Sequence, residues 1–159
     1  MKKNLVIREL RINDRVSIKQ IVEKTGFFDE EETKTAVELI DCALKDPHCG
    51  YNFGIGEIDS ELAGYVCFGQ RPLTESAYDL YWIVVNPGFQ NSGVGKKLMN
   101  WAEQQIKTRG GTLVLAETSG RTLYEPTRNF YLKIGYLEEA RIKDFYKKGD
   151  DLVMFTKRL

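Results

Sequence analysis

The sequence predicts an α/β fold, in which a central, mixed and twisted β-sheet carries helices on both of its faces. Apolar runs of strand length alternate with amphipathic stretches of helix length, in the order β-α-α-β-β-β-α-β-α-β-β. The run at residues 78–85 is apolar at successive positions, which is typical of a central strand that helices cover on both sides. At 159 residues the chain can bury a core, and we expect a single domain over residues 1–159.

The first part of the chain predicts one strand and two helices. Leu5 and Ile7 belong to a short strand, after which Asn13 caps a first helix that ends at Gly26. Residues 29–44 form a second helix, whose first turn carries glutamates where the helix dipole favours negative charge. The apolar positions of this second helix recur at helical spacing, so it has one side to bury.

The middle of the chain predicts the centre of the sheet. Residues 51–58 and 62–69 read as an antiparallel hairpin around a polar turn. The central strand at residues 78–85 follows after a loop. Residues 95–108 then show apolar positions at helical spacing and form the next helix.

The last part of the chain predicts a strand, a short helix and a closing hairpin. Residues 113–117 are another buried strand, and residues 127–134 are a helix capped by the glycine that follows. Residues 136–140 and 152–156 form the hairpin, joined by a long polar connection.

The segment after the central strand indicates an anion site. A buried strand leads through a glycine-bearing turn into a helix, and such a turn points several backbone N–H groups at one spot that can hold a phosphate. Gly93 and Gly95 stand at the helix start, yet Lys96 and Lys97 follow them, although cations are disfavoured at the positive end of a helix dipole. A bound anion removes this conflict. The alternative is a tight turn without a ligand.

Neither the Walker pattern nor the dinucleotide pattern GxGxxG, the two common phosphate-binding motifs, fits these residues.

The spacing Gln90-x-x-Gly93-x-Gly95 after a strand resembles the pyrophosphate loop of the GNAT superfamily of acyl-CoA N-acetyltransferases. The order of elements is also similar to the GNAT fold from end to end. The resemblance implies acetyl-CoA as the acetyl donor, with its pyrophosphate on the backbone of Gln90, Asn91, Ser92, Gly93, Val94, Gly95 and Lys96. It further implies that the preceding strand opens away from its neighbour and pairs with the pantetheine arm at Ile83, Val84 and Val85.

A second part of the resemblance concerns the short helix at residues 127–134. Tyr131 stands four residues before Gly135, as does the GNAT tyrosine that faces the sulfur of CoA. By resemblance Tyr131 is the general acid for the departing thiolate, since a phenol with an ordinary pKa of about 10 has a basicity similar to that of a thiolate. The alternative is a core aromatic residue beside Phe130.

Glu117 is the candidate general base. It ends a predicted strand and resembles the glutamate that N-terminal protein acetyltransferases carry at the end of the corresponding strand, where it helps to deprotonate the amine directly or through water. The alternative is an ordinary solvated carboxylate. Glu75, Asp79 and water alone are further candidates for the base.

The sequence departs from the family at one visible position. Where many GNAT members carry an Asn that contacts the pantetheine arm, this chain has Tyr124. Arg128 or a repositioned Asn129 is the candidate replacement in CoA binding. Tyr124 is then expected to shape the acceptor site.

The resemblance places the acceptor pocket between the first two helices and the final hairpin loop. The aromatic residues expected to bind the acceptor are Phe28, Tyr81, Tyr124 and Tyr146, and the carboxylates available nearby are Asp144, Asp150 and Asp151. Aromatic walls with a few acidic groups suit a cationic amine. The alternative is that the hairpin loop is only a solvated run of charges.

The reaction implied is direct attack of a primary amine on the thioester in a ternary complex. Zero formal net charge and the short chain favour a small-molecule amine, with the N-terminus or a lysine of a protein as the alternative. An alternative of another class is a sensor module that binds acyl-CoA without turnover. A homodimer is also left open by the sequence.

Composition narrows the classes of partner and site. Lysine plus arginine and aspartate plus glutamate both number 23, so neither nucleic acid nor an anionic membrane is indicated. The longest apolar runs are too short to cross a bilayer and the start MKKNLVIREL lacks the apolar core of a leader, so we expect a cytoplasmic protein. Three cysteines without CxxC spacing fit reduced thiols, and with a single histidine, His48, no metal is expected.

Overall fold

The computed structural model describes residues 4–159 of the chain. Residues 1–3, part of the N-terminal segment weighed above for a leader, lie outside the described residues. The strands are β1 (Val6–Arg8), β2 (Asn52–Ile58), β3 (Glu61–Gln70), β4 (Ala77–Val85), β5 (Leu113–Ser119), β6 (Leu137–Lys147) and β7 (Asp150–Arg158). The α-helices are α1 (Asp14–Lys24), α2 (Glu30–Lys45), α3 (Val94–Thr108) and α4 (Glu125–Lys133), and short 3₁₀ turns cover Pro87–Phe89 and Thr122–Tyr124.

Within residues 4–159 the strands form one mixed sheet in the order β1-β2-β3-β4-β5-β7-β6. β4 and β5 are parallel, whereas β1 and β2, β2 and β3, β5 and β7, and β6 and β7 are antiparallel pairs. This sheet and its helices confirm the predicted fold class and order of elements. None of the helices in the described part of the chain is both long and apolar enough to cross a membrane.

The chain divides into two compact units. The first comprises the residues up to Gly69 together with Trp82–Gln105, and the second comprises Gln70–Tyr81 together with Ile106–Leu159. β4 therefore contributes its first residues to the second unit and its last residues to the first.

The core of the first unit packs α1 and α2 with β2, β3 and the end of β4. Its buried members are Ile18, Ile21, Val22, Ile40, Phe53, Ile55, Leu62, Tyr65, Cys67 and Val84. α2 begins with a capping box, in which the Asp29 side chain accepts a hydrogen bond from the N–H of Glu32 (2.8 Å) and the Glu32 side chain accepts one from the N–H of Asp29 (2.9 Å). The acidic first turn predicted for this helix thus also fixes where it begins.

α3 approaches β2 closely at Gly54. A Cβ built on Gly54 stands only 2.4 Å from Cζ3 of Trp101, so no larger residue fits at this crossing. Phe68 meets the same indole edge-on, with ring centroids 6.2 Å apart. Because α3 begins at the predicted anion loop, this packing fixes the position of the loop on β2 and β3.

The core of the second unit lies around β5 and β7. Ala77–Leu80 of β4 pair with Leu113–Ala116 of β5, and the last of these pairs is Leu80 with Ala116. Along its length β5 also pairs with β7, from Leu113 with Arg158 to Ser119 with Leu152. The buried side chains Val114, Ala116, Val153 and Phe155 line the centre of these two strands.

The closing hairpin is longer than the sequence predicts, and the expected long polar connection is wrong. β6 continues to Lys147, and Lys148 and Gly149 alone separate it from β7 at Asp150. Every residue of β6 is exposed, so the strand shows no alternation of apolar and polar residues by which to recognise it. Its pairing with β7, interrupted by two register shifts, defines it instead.

α4 begins at Glu125, two residues earlier than predicted. Pro126 lies in its first turn, where backbone N–H groups have no acceptor within the helix, so a proline there costs no hydrogen bond. The predicted helix starts at residue 127, directly after this proline, although the proline lies in the first turn of the helix.

Candidate active site

Asn86 fixes the turn that leads from β4 towards the predicted anion loop. It is buried, its Nδ2 donates a hydrogen bond to the carbonyl of Leu62 (2.9 Å), and its backbone N–H donates to the carbonyl of Ala63 (2.8 Å). Its Oδ1 accepts from the N–H of Gly88 (3.1 Å). The turn is therefore bound to β3, and the loop starts from a fixed point.

The loop that follows is exposed and has open space beside it. Asn91 and Gly93 both have left-handed backbones, with φ of 60° and 81°. A Cβ placed on Gly93 meets no atom within 4 Å. Val94 is buried and anchors the start of α3, whereas the loop residues before it, Gln90, Asn91, Ser92 and Gly93, are exposed. The backbone of this loop is thus accessible from outside.

The first turn of α3 carries positive charge that no acidic residue offsets. Its leading N–H groups lack acceptors within the helix, as at every helix start. Lys96 and Lys97 are exposed in this turn and no acidic residue accompanies them, whereas the first turn of α2 contains Glu30, Glu31 and Glu32. Together the loop and this turn can bind an anion such as a pyrophosphate.

Ile83, Val84 and Val85 end β4 just before this loop. Val84 is 3% exposed and belongs to the core of the first unit. Ile83 and Val85 are only half-buried, and by strand alternation they share the opposite side of β4. They offer an apolar surface next to the exposed loop.

Tyr131 lies inside the second unit, with 5% of its surface exposed. Its ring centroid lies 5.4 Å from that of Phe155 and 5.6 Å from that of Tyr136. Its hydroxyl has no hydrogen-bond partner within residues 4–159. Burial raises the pKa of Tyr131, so the phenol stays protonated and is a weaker acid than an exposed tyrosine.

Arg128 secures the connection between β5 and α4. Its Nη1 donates hydrogen bonds to the carbonyl oxygens of Ser119 and Arg121, both at 2.8 Å. These bonds hold the N-terminal half of α4, three residues before Tyr131, against the end of β5. The guanidinium that the sequence analysis considered for CoA binding is therefore engaged with the backbone.

Asn129 and Tyr124 differ in how they are held. Asn129 is exposed and its side chain forms no hydrogen bond in the described part of the chain. Tyr124 is half-buried, and the guanidinium carbon of Arg121 lies 5.5 Å from its ring centroid. The two candidate replacements for the family Asn are Arg128 and Asn129. Because Arg128 binds the backbone, only Asn129 has a side chain that is free to bind CoA.

Glu117 belongs to a cluster of charged side chains that includes Arg71 and Asp79. Nη1 of Arg71 donates to Oδ1 of Asp79 at 2.8 Å and to Oε1 of Glu117 at 3.4 Å. The hydrogen bond from Arg71 to Asp79 raises the pKa of Arg71, which therefore stays charged. Two of the groups proposed as the base are thus brought together by a cation that the sequence analysis did not single out.

The aromatic residues proposed for the acceptor lie in both units. In the first unit, Phe28 packs edge-on against Trp82 with ring centroids 4.8 Å apart, and it borders a cavity of about 650 Å³ between α1 and α2. In the second unit, Tyr81 is 37% exposed and directly follows the last pair between β4 and β5. Tyr146 is 49% exposed and stacks edge-on with Phe145 on β6.

The carboxylates of the final hairpin take part in hydrogen bonds and an ion pair, so they are not merely a run of solvated charges. Asp150 is 4% exposed, accepts a hydrogen bond from the hydroxyl of Ser119, and lies 3.2 Å from Nε of Arg121. Asp151 accepts from the N–H of Asp144 (3.0 Å), and the Asp144 carboxylate accepts from the N–H of Gly149 (2.6 Å). Asp150 thus joins the hairpin to Ser119 and Arg121, whereas Asp151 and Asp144 accept from backbone N–H groups inside the hairpin.

Arg71 is the member of this charged cluster that the sequence reasoning missed. Its partners Asp79 and Glu117 lie 8 and 46 residues away, so no local spacing marks it. A signal existed in the strand pairing, since a parallel β4–β5 pair places Asp79 beside Leu115, two residues before Glu117.

In residues 4–159 no group of three or more His, Cys, Asp and Glu side chains is arranged to hold a metal ion. Cys42, Cys49 and Cys67 are free thiols.

Comparison with known proteins agrees with this geometry. The family described as the acetyltransferase (GNAT) family matches residues 16–136. A crystal structure from Desulfovibrio desulfuricans, assigned to GNAT acetyltransferases, is 41% identical with a TM-score of 0.95, over 98% of this chain and 99% of that one. No curated protein sequence matches the chain.

More distant structures share the fold. The aminoglycoside 6'-N-acetyltransferase from Enterococcus faecium is 17% identical with a TM-score of 0.76, over 96% of both chains. The protein yncA from Salmonella typhimurium, solved with its cofactor acetyl-CoA, is 16% identical with a TM-score of 0.77, over 98% of this chain and 94% of that one.

The chain therefore belongs to the GNAT family of acetyltransferases. This confirms the resemblance seen in the sequence, the enzyme class of N-acetyltransferase, and acetyl-CoA as the acetyl donor of that class.

Proposed function

We propose that this protein transfers the acetyl group of acetyl-CoA to the primary amine of a small molecule, by direct attack in a ternary complex. The observation that carries the proposal is Tyr131, a buried phenol with a free hydroxyl at the position of the family's acid. A sensor that only binds acyl-CoA has no use for a protonated, unpartnered phenol at this position.

In this proposal the donor binds at the start of α3. The pyrophosphate takes the backbone N–H groups of residues 90–96, and the exposed lysines of the first helical turn add favourable charge. The pantetheine arm runs along the half-buried side of β4 at Ile83 and Val85. Asn129 donates to the arm in place of the family Asn, because Arg128 is engaged elsewhere.

The chemical step forms one bond and breaks another. The neutral amine attacks the carbonyl carbon of the thioester, the new C–N bond forms, and the C–S bond breaks. The departing thiolate takes the phenolic proton of Tyr131, and the proton lost from the amine passes to Glu117, directly or through water. Glu117 is 38% exposed, which leaves it accessible to an incoming amine.

A small-molecule acceptor is favoured over a protein. The aminoglycoside 6'-N-acetyltransferase with the same fold acts on a small molecule, as its name states. The likeness of Glu117 to the strand-end glutamate of N-terminal protein acetyltransferases keeps a peptide amine as the second candidate. The expected location remains the cytoplasm, where acetyl-CoA and reduced thiols occur together.

A screen of acceptors tests this proposal. Purified protein is incubated with acetyl-CoA and with amino acids, polyamines, aminoglycosides or short peptides, and the release of free CoA thiol is followed. We expect turnover with members of one small-molecule class and product masses raised by one acetyl group. Tight CoA binding by calorimetry without turnover on any amine contradicts the proposal and favours the sensor.

A further inference from the structure

We propose that the acceptor carries a carboxylate next to its amine, as an amino acid does, and that Arg71 binds this carboxylate while Glu117 faces the amine. This inference rests on the proposed function, because it takes the side of the sheet with Glu117 as the place where the amine is acetylated.

The guanidinium of Arg71 uses only one of its nitrogens within the described residues. Nη1 makes both hydrogen bonds of the guanidinium, to Asp79 and to Glu117. Nε and Nη2 have no partner in residues 4–159, and 41% of the side chain is exposed. These two nitrogens form the side edge of the guanidinium, which binds a carboxylate through two parallel hydrogen bonds.

Asp79 holds Arg71 in a fixed position. Only 13% of the Asp79 side chain is exposed, and its oxygen lies 2.8 Å from Nη1 of Arg71. A charged hydrogen bond to a largely buried carboxylate restrains the flexible arginine, so the free edge of the guanidinium is already oriented for a ligand. Arg71 itself begins the segment between β3 and β4, and its N–H donates to the carbonyl of Ala77 (2.9 Å).

The acidic partner of this site lies on the same side of the sheet. Asp79 pairs with Leu115, and Glu117 follows two residues later, so both carboxylates project from one face. Oε1 of Glu117 meets Arg71, whereas Oε2 has no partner in the described part of the chain. Tyr81, two residues after Asp79, lies on this face as well and is 37% exposed.

The juxtaposition of a free guanidinium edge and a free carboxylate oxygen selects a zwitterion. An ammonium group is attracted to Glu117 before it gives up its proton, and a carboxylate on the neighbouring carbon reaches Arg71. A polycation such as an aminoglycoside is repelled by the positive charge of Arg71, so its binding at this site is disfavoured. The site therefore distinguishes amino acids from the substrates of the aminoglycoside enzymes that share its fold.

Paired acceptors provide the test. Each of a set of L-amino acids is compared with its carboxamide, which keeps the side chain and the amine but lacks the negative charge. The amine of an amide is less basic and more of it is neutral at a given pH, so chemistry alone favours the amide. We expect wild-type protein to favour an amino acid over its amide by about tenfold or more in kcat/KM, because a charged hydrogen-bonded pair is lost with the amide.

Variants at Arg71 assign this preference to the guanidinium. In Arg71→Met the KM for the amino acid is expected to rise and the preference for the amino acid over its amide to vanish. Arg71→Lys keeps the charge but lacks the two-nitrogen edge, and we expect it to restore only part of the preference. Arg141→Met is the matched control, because Arg141 is 42% exposed and likewise pairs with two carboxylates, Glu138 and Asp151.

The outcomes separate the two proposals. Turnover of amides, polyamines or aminoglycosides with no preference for amino acids overturns this inference and leaves the proposed function standing. An unchanged acid-to-amide ratio in Arg71→Met also overturns it. CoA binding without acetylation of any amine overturns the proposed function, and this inference with it.

Discussion

Arg8 and Asp14 form an ion pair with two contact points. Nη1 and Nη2 of Arg8 each donate to one oxygen of Asp14, both at 2.8 Å. The same guanidinium donates to Glu57, and the N–H of Arg11 donates to Asp14 at 2.7 Å. Because Arg8 lies on β1, Asp14 on α1 and Glu57 on β2, one cluster joins three elements of the first unit.

Asp14→Asn is expected to destabilise the protein by about 3 kcal/mol, since it removes one partner of a largely buried ion pair. Burial raises the pKa of Asp14, but hydrogen bonds from Arg8 and from the N–H of Arg11 lower it further, and the net pKa lies below the ordinary value of 3.8. The stabilisation is therefore present above pH 3.8 and is lost as the pH falls through the lower pKa of the folded state. Urea unfolding as a function of pH measures both effects.

The control for this variant is Asp41→Asn, which breaks the exposed pair between Arg15 and Asp41. Exposed pairs contribute little, so its unfolding curve is expected to stay close to that of the wild type. Equal curves for both variants would show that the Arg8–Asp14 pair does not stabilise the fold.

Gly93→Ala is expected to weaken CoA binding by at least about tenfold, because the added methyl enters the space where a phosphate has to approach the backbone N–H groups. Gly110→Ala is a matched control. Both glycines have φ of 81° and both have open space around the added methyl, so both variants carry the same backbone strain, about 1–2 kcal/mol. Calorimetry with CoA measures the affinities. Similar affinities in the two variants remove the loop at residues 90–96 from the donor site.

Tyr131→Phe is expected to lower kcat by about a hundredfold while CoA binding stays near the wild-type value, since the ring remains and the proton donor is lost. Tyr136→Phe removes a hydroxyl from a neighbouring buried ring and is expected to keep most of the activity. Rapid-mixing kinetics of a single turnover isolate the chemical step. The loss should also shrink with acyl donors whose thiol is more acidic, because these need less protonation as they depart. A Phe variant as fast as wild type assigns Tyr131 to the core alone.

Glu117→Gln is expected to lower kcat/KM by about a hundredfold, because the amide cannot accept the proton of the amine. Glu138→Gln serves as the control, as Glu138 is also a partly exposed carboxylate bound to an arginine, with Nε of Arg141 at 3.0 Å. Full activity of Glu117→Gln on a verified acceptor leaves deprotonation of the amine to water.

The strand, turn and helix that frame the proposed donor site could be predicted because their sequence signals are local. The central strand at residues 78–85 is continuously apolar, and glycines at a helix start beside Lys96 are adjacent in sequence. The acceptor side depends on contacts between distant residues. Nothing near Arg71 indicates that it bridges Asp79 and Glu117, because the parallel pairing of β4 and β5 brings them together.

The closing hairpin is a second region where the local sequence does not predict the structure. Asp150 reads as a solvent-facing acid in a polar run, yet it is buried against Ser119 and Arg121. The part of β6 after Ala140 reads as a polar connection because no face of it is buried. A sequence pattern indicates which side of one helix or strand is buried. The surroundings of Asp150 and the extent of β6 depend instead on contacts with other strands, which the local pattern does not show.

The irregular pairing of β6 also affects how the protein behaves in concentrated solution. β6 borders the sheet, and an unpaired border strand is a template on which strands of other molecules can assemble into aggregates. Its register shifts near Ala140 and before Lys147, together with charged side chains along most of its length, interrupt this template. We therefore expect the folded chain to stay dispersed where a flat, apolar border of the same length would nucleate fibrils.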